Sequence, residues 1–148
     1  MGKVKGAFLV TLTWVLPSLA FSQQVSWLPY DRALEEAQRT GKPVFLYFFT
    51  KDCPYCRKMD SETLVSSRVV EYLREGFVSV RIDADRQPQL ARRYMVRGFP
   101  TSWFLTSEGK PISSLPGYVG PDEFARVLRY VIGGHYRSKS LREYLSGS

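Results

Sequence analysis

The most strongly apolar stretch of the chain runs over positions 44–49, with the sequence Val-Phe-Leu-Tyr-Phe-Phe. Gly-Lys-Pro precedes it, and Lys-Asp follows shortly after it at positions 51–52. A continuous apolar run of this length between turn residues is typical of a strand that is buried on both faces of a sheet. The pattern therefore predicts that residues 44–49 form a central strand around which the rest of the fold is organised.

Other periodicities predict the elements on either side of this strand. Apolar residues at helical spacing indicate amphipathic helices, whereas alternation of apolar β-branched and polar residues indicates strands. The predicted helices cover residues 31–40, 54–60, 66–76, 87–94, 121–132 and 140–145, and the predicted strands cover 44–49, 77–82, 102–106 and 111–115. This order predicts an α/β fold of three layers, with a mixed central sheet of about four to five strands flanked by helices.

The N-terminal segment, residues 1–22, has the layout of a secretory signal peptide. Two lysines precede an apolar stretch at 7–16, and small residues at positions 20 and 22 suit cleavage by a signal peptidase after Ser22. The apolar stretch is shorter than the roughly 20 residues of a membrane-spanning helix, although an uncleaved anchor is the alternative. We therefore expect a periplasmic or secreted protein with a domain over residues 23–134 and a C-terminal extension with a short helix over 135–148.

The formal charge of the 148-residue chain is +7, and the basic residues are spread along it. No basic run of the kind that binds nucleic acid is present, so we interpret the charge as a solvated surface that favours acidic partners. We expect a monomer that needs no cofactor. Zinc usually takes four ligands, whereas the chain offers two cysteines and the distant His135, so no metal site is predicted. A Cu(I) site of two thiolates and Met59 is the alternative.

The two cysteines, Cys53 and Cys56, directly follow the predicted central strand and are three positions apart. A disulfide between them closes a very small loop, which stabilises a fold far less than one that closes tens of residues. Pro54 suits the first turn of a helix, so Cys53 is expected at a helix N-terminus. Unpaired N–H groups and the helix dipole stabilise a thiolate there, and the thiolate is the form that attacks disulfides. The spacing thus favours a redox couple over a structural bridge.

Two short motifs lie at the ends of predicted strands. Cys-Pro-Tyr-Cys at 53–56 follows the buried strand, and Gly-Phe-Pro-Thr at 98–101 precedes an aromatic strand and a glycine-containing hairpin turn. Together, in this order, they resemble the thioredoxin superfamily. The resemblance covers about residues 27–134, and it is strongest to the exported thioredoxin-like proteins of bacteria. It implies a three-layer thioredoxin fold and a thiol–disulfide oxidoreductase with a redox-active disulfide between its two cysteines.

The resemblance also implies roles for individual residues. Cys53 matches the thiol that attacks the substrate disulfide, and Cys56 matches the thiol that resolves the mixed disulfide. Pro100 matches the cis-proline of the family, which lies against the cysteine pair, and Gly117 matches a glycine beside the same groove. The supporting and substrate-binding residues expected around the dithiol are Pro54, Tyr55, Phe99, Pro100 and Gly117. For the two aromatic residues among them, a plain surface or core position is the alternative.

Two positions depart from thioredoxin itself. Where thioredoxin has a buried aspartate that serves proton transfer to the resolving cysteine, this chain has Tyr47. Water, Asp60 or Glu62 is then the alternative route for that proton. Where thioredoxin has a tryptophan before the first cysteine, this chain has Asp52, and a carboxylate there raises the pKa of the neighbouring thiol. Arg81 is expected to be an ordinary solvated strand residue.

The resemblance implies a reductase of protein disulfides, because the similar exported proteins are reducing members of the family. A reductase in an oxidising compartment needs electrons from across the membrane. A membrane thiol carrier is therefore the implied electron donor, with disulfide-containing proteins as substrates. A disulfide oxidase or isomerase is the first alternative, because the fold does not set the direction of transfer. A thioredoxin-fold binding module or chaperone without redox turnover is the second.

Overall fold

Strand β1 (Val44–Phe49) lies inside a four-stranded sheet in the computed structural model, which describes residues 1–2 and 24–147. The other strands are β2 (Val78–Asp83), β3 (Thr101–Leu105) and β4 (Pro111–Pro116). The strand order is β2–β1–β3–β4; β1 pairs with β2 in parallel, and the other two pairs are antiparallel. A single parallel bridge between Trp27 and Ser79 adds to the outer side of β2. This is the mixed sheet that the sequence predicts.

Helices cover both faces of this sheet. They are α1 (Tyr30–Thr40), α2 (Pro54–Lys58), α3 (Ser67–Gly76), α4 (Pro88–Arg93), α5 (Pro121–Ile132) and α6 (Leu141–Ser146). A π-helical turn at Met59–Thr63 continues α2, and a 3-10 turn at His135–Arg137 follows α5. The helices and strands lie within two residues of their predicted bounds, so the predicted three-layer α/β fold is confirmed.

The side chains of β1 alternate between two buried faces of the sheet. Phe45 and Tyr47 pack in one hydrophobic cluster with α3 and α5, whereas Leu46 and Phe48 pack in a second cluster with α1 and α4. All four side chains are fully buried. Because neither face of the strand meets water, its sequence has no polar alternation, which is why the apolar run predicts the position of this strand.

The strand directions bring four chain segments to one end of the sheet. Strands β1 and β2 both finish there, where Phe49 pairs with Asp83. Strand β3 starts there and β4 finishes there, where Thr101 pairs with Phe48 on one side and with Pro116 on the other. We call this the dithiol end, because both cysteines lie in the turn and helix that directly follow β1.

The C-terminal extension packs on α5. Ser140 caps α6 through a reciprocal capping box. The Arg126 side chain of α5 donates to the Leu145 carbonyl oxygen at 2.6 Å, and the Tyr130 hydroxyl donates to the Lys139 carbonyl oxygen at 2.8 Å. The short last helix is therefore docked on the domain rather than frayed.

The N-terminal segment is described only in part. Residues 3–23, which hold nearly all of the predicted signal peptide, lie outside the described residues. Within residues 1–2 and 24–147, no helix is both long enough and apolar enough to cross a membrane.

Candidate active site

Cys53 and Cys56 form a disulfide at the start of α2. Cys53 is the N-cap residue and Pro54 occupies the first turn, the arrangement that the sequence predicts. The Cys56 backbone N–H donates to the Cys53 sulfur, with the nitrogen and the sulfur 3.1 Å apart. The exposed fraction is 9% for Cys53 and 2% for Cys56, so Cys53 is the more accessible residue of the pair.

The loop before β3 and the loop after β4 are joined at the same end of the sheet. The Phe99–Pro100 peptide bond is cis, as the resemblance implies. The Gly117 N–H donates to the Pro100 carbonyl oxygen at 2.7 Å. Gly117 has a φ of +89°, in the left-handed region that favours glycine. Pro100 and Gly117 thus form one hydrogen-bonded unit at the dithiol end.

The other side chains singled out from the sequence differ in how far they are exposed to solvent. Tyr55, in the first turn of α2, is 62% exposed, and Asp52 is also exposed. Phe99 is half-buried and packs against the cluster that includes α1 and α4. Met59, the third ligand of the alternative copper site, is fully buried in the cluster with α3 and α5.

Tyr47, which is expected to replace the buried aspartate of thioredoxin, contacts α2. Its side chain is fully buried, and its hydroxyl donates to the Cys56 carbonyl oxygen at 3.2 Å. Burial, followed by the nearby charge of Asp60, raises the pKa of Tyr47 well above its ordinary value. The hydroxyl therefore keeps its proton near neutral pH and acts as a hydrogen-bond donor to α2.

Asp60 forms a bidentate ion pair with Arg81 beside Tyr47. The two Arg81 Nη atoms donate to the two Asp60 carboxylate oxygens at 3.0 and 2.7 Å. The guanidinium also lies 4.4 Å from the centroid of the Phe49 ring, an arrangement that stabilises a cation. Only 33% of the Arg81 side chain is exposed. The prediction that Arg81 is an ordinary solvated residue is therefore wrong. The β1–β2 register places Arg81 opposite Tyr47, and its guanidinium pairs with Asp60 in the turn that continues α2.

Glu62 is engaged with the loop that follows β4. The Tyr118 hydroxyl donates to the Glu62 carboxylate at 2.6 Å, and the Thr63 hydroxyl donates to the Val119 carbonyl oxygen at 2.7 Å. The Lys58 ammonium lies 4.5 Å from the centroid of the Tyr118 ring. Both acids that the sequence offers for proton transfer are therefore held by other side chains. The sequence does not point to Tyr118, because its hydrogen-bond partner is 56 residues away.

Comparison with known proteins identifies the family. A family model described as a thioredoxin-like domain matches residues 30–132. Disulfide bond reductase DsbH of Chlamydia pneumoniae is 31% identical over 124 residues, which cover 71% of this chain and 75% of that protein. The solved structure of a thioredoxin from Thermus thermophilus is 35% identical, with a TM-score of 0.67, over 73% of this chain and 87% of that one.

Other curated relatives are much longer than this chain. An uncharacterized protein of Caenorhabditis elegans is 28% identical over 72% of this chain, and spermatogenesis-associated protein 20 of Homo sapiens is 28% identical over 70% of it. The matched region is only 16% and 14% of those two proteins, so each resembles this chain in one part of its length. The family model, by contrast, matches most of the chain described by the structure. The chain belongs to the thioredoxin-like domain family.

Proposed function

We propose that this protein is a thiol–disulfide oxidoreductase that works through the Cys53–Cys56 couple. The observation that carries the proposal is the capping geometry of α2, in which the Cys53 sulfur accepts a hydrogen bond from the Cys56 N–H. A sulfur that accepts a backbone N–H hydrogen bond at a helix N-terminus is stabilised as the thiolate. Arg57 and Lys58, the basic residues in the last turn of α2, act against the Asp52 carboxylate, which disfavours the thiolate.

In the proposed reaction, the Cys53 thiolate attacks one sulfur of a substrate disulfide, and the other substrate sulfur leaves as a thiolate that takes a proton from solvent. Cys56 then loses its proton to solvent and attacks the Cys53 sulfur of the mixed disulfide, and the second substrate sulfur leaves as a thiolate that takes a proton from solvent. Two electrons pass to the substrate, and the protein ends with its own disulfide. An external dithiol must reduce that disulfide before the next cycle.

In this proposal the loops joined by the Pro100–Gly117 hydrogen bond form the substrate groove. The backbone before Pro100 pairs with the extended substrate chain. A side chain added at Gly117 would meet no atom within 4 Å, so the space beside this residue is open to a substrate. The exposed ring of Tyr55 and the half-buried ring of Phe99 border the groove.

We propose that electrons flow from the protein to substrate disulfides, so that it acts as a reductase. The support is its 31% identity to a protein named disulfide bond reductase DsbH. The reduction potential of the Cys53–Cys56 couple tests the direction. For a reductase we expect a reduction potential similar to that of thioredoxin, about −270 mV. A potential of about −120 mV is that of a strong oxidant and would contradict the proposal.

We further propose that the chain is exported, that residues 1–22 are removed after Ser22, and that a membrane thiol carrier supplies the electrons. The support is the charged, apolar and small-residue layout of the N-terminal sequence. The mature protein then consists of the domain at 23–134 and the extension at 135–148. Residues 1–22 fused to a reporter enzyme that is active only outside the cytoplasm should give export and a shortened product. A full-length reporter retained in the cytoplasm would exclude export by this segment.

Turnover of insulin with dithiothreitol as the electron donor tests the two cysteine roles. We expect Cys53→Ser to reduce turnover to the uncatalysed rate, because the attacking sulfur is missing. Cys56→Ser should accumulate mixed disulfides with substrate, because no thiol resolves them. Ser67→Ala, at an exposed position of α3, is the control. Unchanged insulin turnover in Cys53→Ser contradicts the proposal. If a Cys53→Ala/Cys56→Ala variant keeps the full function of the protein in cells, the protein is instead a binding module or chaperone.

A further inference from the structure

The connection between β2 and β3, residues 84–100, begins and ends at the dithiol end of the sheet. Its inner side is packed against the domain. Leu90 of α4 is buried, and the Tyr94 ring lies 5.7 Å from the ring of Phe48. The hydroxyl groups of Tyr94 and Tyr30 share a hydrogen bond of 2.7 Å. The connection is therefore a fixed part of the surface beside the dithiol.

The outer side of this connection carries four arginines and one methionine, all exposed, which we call the arginine surface. Its members are Arg86, Arg92, Arg93, Met95 and Arg97. Within the part of the chain that the structure describes, none of the four arginines forms an ion pair with a carboxylate. The two carboxylates at the start of the connection accept hydrogen bonds from backbone N–H groups: Asp85 accepts from Lys51 at 3.2 Å, and Asp83 accepts from Asp85 at 3.0 Å.

Met95 lies between arginines 93 and 97 on a turn with a defined backbone. Its φ is +52°, in the left-handed region, and its N–H donates to the Arg92 carbonyl oxygen at 3.0 Å. The Val96 N–H donates to the Ala91 carbonyl oxygen at 2.8 Å. Met95 is nonetheless 73% exposed. The hydrogen-bonded turn thus holds the apolar Met95 side chain in solvent, with an arginine on either side. This combination suits a partner that offers both apolar and acidic groups.

We propose that the arginine surface binds substrate polypeptides that carry acidic residues close to the disulfide to be reduced. The inference rests on the proposed function, since it concerns the substrate of the same dithiol. A substrate whose sulfur reaches Cys53 must lay its neighbouring residues over the dithiol end, because an extended chain advances only about 3.3–3.6 Å per residue. Carboxylates on those residues then meet the arginines, and complementary charge raises the rate of productive encounter.

A pair of disulfide peptides of equal length tests this inference. One carries aspartates and the other carries lysines on both sides of the disulfide, and kcat/KM is measured for each at low salt. For the wild-type protein we expect a preference of about ten-fold or more for the aspartate peptide. Raising the ionic strength from about 0.02 M to about 0.5 M should remove most of that preference, because exposed charges are screened.

Arg92→Gln/Arg93→Gln/Arg97→Gln should reduce the preference to about two-fold or less. Its matched control is Lys42→Gln/Lys110→Gln/Arg137→Gln, which removes the same charge from the opposite end of the sheet. Lys42 precedes β1, Lys110 precedes β4, and Arg137 shares a surface depression with neighbours of both. The control should keep the preference. An equal loss of preference in both triple variants would mean that only net charge matters, and it would overturn the inference.

A wild-type protein that reduces both peptides equally well would also overturn the inference while leaving the proposed function intact. If the wild-type protein reduces neither peptide, nor an uncharged small disulfide, then the proposed function itself fails. Anionic phospholipid vesicles provide the last comparison. Vesicle binding that the arginine triple variant abolishes, together with unchanged peptide preference in that variant, would assign the arginine surface to a lipid headgroup instead of a substrate.

Discussion

Tyr47 is a single residue that links the core to the dithiol. Its ring packs among the aromatic side chains beneath the sheet, 6.0 Å from Phe49 and 6.4 Å from Phe45 between ring centroids. Its hydroxyl reaches the Cys56 carbonyl oxygen, which the Met59 N–H also approaches. Because burial raises the pKa of Tyr47, the hydroxyl stays protonated near neutral pH and acts only as a donor. The residue therefore fixes the position of α2 and is unsuited to taking the Cys56 proton.

Tyr47→Phe should keep the fold and lower the free energy of unfolding by about 0.5–1.5 kcal/mol, because one buried hydrogen bond is lost and the ring remains. The loss should lie toward the lower part of that range, since the Cys56 carbonyl keeps its helical partner. Urea unfolding of the reduced protein measures the change. Tyr72→Phe, at a half-buried position on α3, is the control. Equal stability of the two variants would show that the hydroxyl of Tyr47 contributes nothing to the fold.

The ion pair of Arg81 and Asp60 could not be predicted from the sequence. The two residues are 21 positions apart, and each looks ordinary in its own element. They meet because the β1–β2 register places Arg81 opposite Tyr47, and because the turn after α2 directs Asp60 toward the same face. The cysteines, by contrast, are predictable because their spacing and helix-start context lie within one short stretch of sequence.

At the scale of elements, the loop between β4 and α5 is attached to the turn that continues α2. The two attachments are the hydrogen bonds from Tyr118 to Glu62 and from Thr63 to Val119. Gly117 lies in the same loop and is hydrogen-bonded to the loop before β3. The turn that continues α2 and both loops of the proposed groove are thus joined in one hydrogen-bonded network. Weakening one of these attachments should therefore weaken substrate binding.

Tyr118→Phe should raise KM for a protein disulfide by about two- to five-fold with little change in kcat, because the contact is exposed and positions a loop rather than a reacting atom. Steady-state kinetics with insulin measures both constants. Tyr136→Phe, near the opposite end of the sheet, is the matched control. A large fall in kcat with unchanged KM would contradict a positioning role.

The hydrogen bond from Tyr118 to Glu62 predicts that the attachment of the loop between β4 and α5 depends on pH, and the sign follows from the pKa of Tyr118. Its hydrogen bond to Glu62, more than burial, raises the pKa of Tyr118 above its ordinary value. The contribution of the bond is therefore complete below the ordinary tyrosine pKa, and it is lost as pH rises through the raised value. In the wild-type protein, amide hydrogen exchange of residues 117–120 should accelerate at strongly alkaline pH beyond the intrinsic increase. In Tyr118→Phe this extra step should be absent; an identical step in both proteins would exclude Tyr118 as its origin.

Most of the elements follow from local patterns in the sequence, and their bounds lie within two residues of the predicted ones. Helix α5 has a buried apolar stripe of period 3.6 between Pro121 and the pair Gly133 and Gly134, so the sequence predicts both of its ends. The π-helical turn after α2 is not predicted. In this turn Met59 and Thr63 are buried, and the Asp60 side chain pairs with Arg81. These requirements come from tertiary packing, and no local pattern encodes them.

At the scale of the whole molecule, the core and the dithiol occupy separate regions. Among the described residues, the five largest fully buried side chains belong to the sheet and to α5: Tyr47, Phe45, Phe48, Phe104 and Phe124. The cysteines lie at one end of the sheet, beyond the last residue of β1. A disulfide that spans three residues restricts the unfolded chain far less than one that closes a long loop. The fold should therefore depend on burial around β1 rather than on the redox state of the cysteines.

Two variants, compared with the wild-type protein in reducing buffer, separate these contributions. Cys53→Ala/Cys56→Ala should lower the free energy of unfolding by less than about 1.5 kcal/mol, because only two small side chains are removed at the end of the sheet. Leu46→Ala should cost about 2–5 kcal/mol, because it leaves a cavity beside α1 and α4 where the side chain is fully buried. Urea unfolding followed by circular dichroism measures both changes. If the cysteine variant loses as much free energy of unfolding as Leu46→Ala, the two cysteine side chains are themselves part of the stabilising core, because the cysteine variant leaves β1 unchanged.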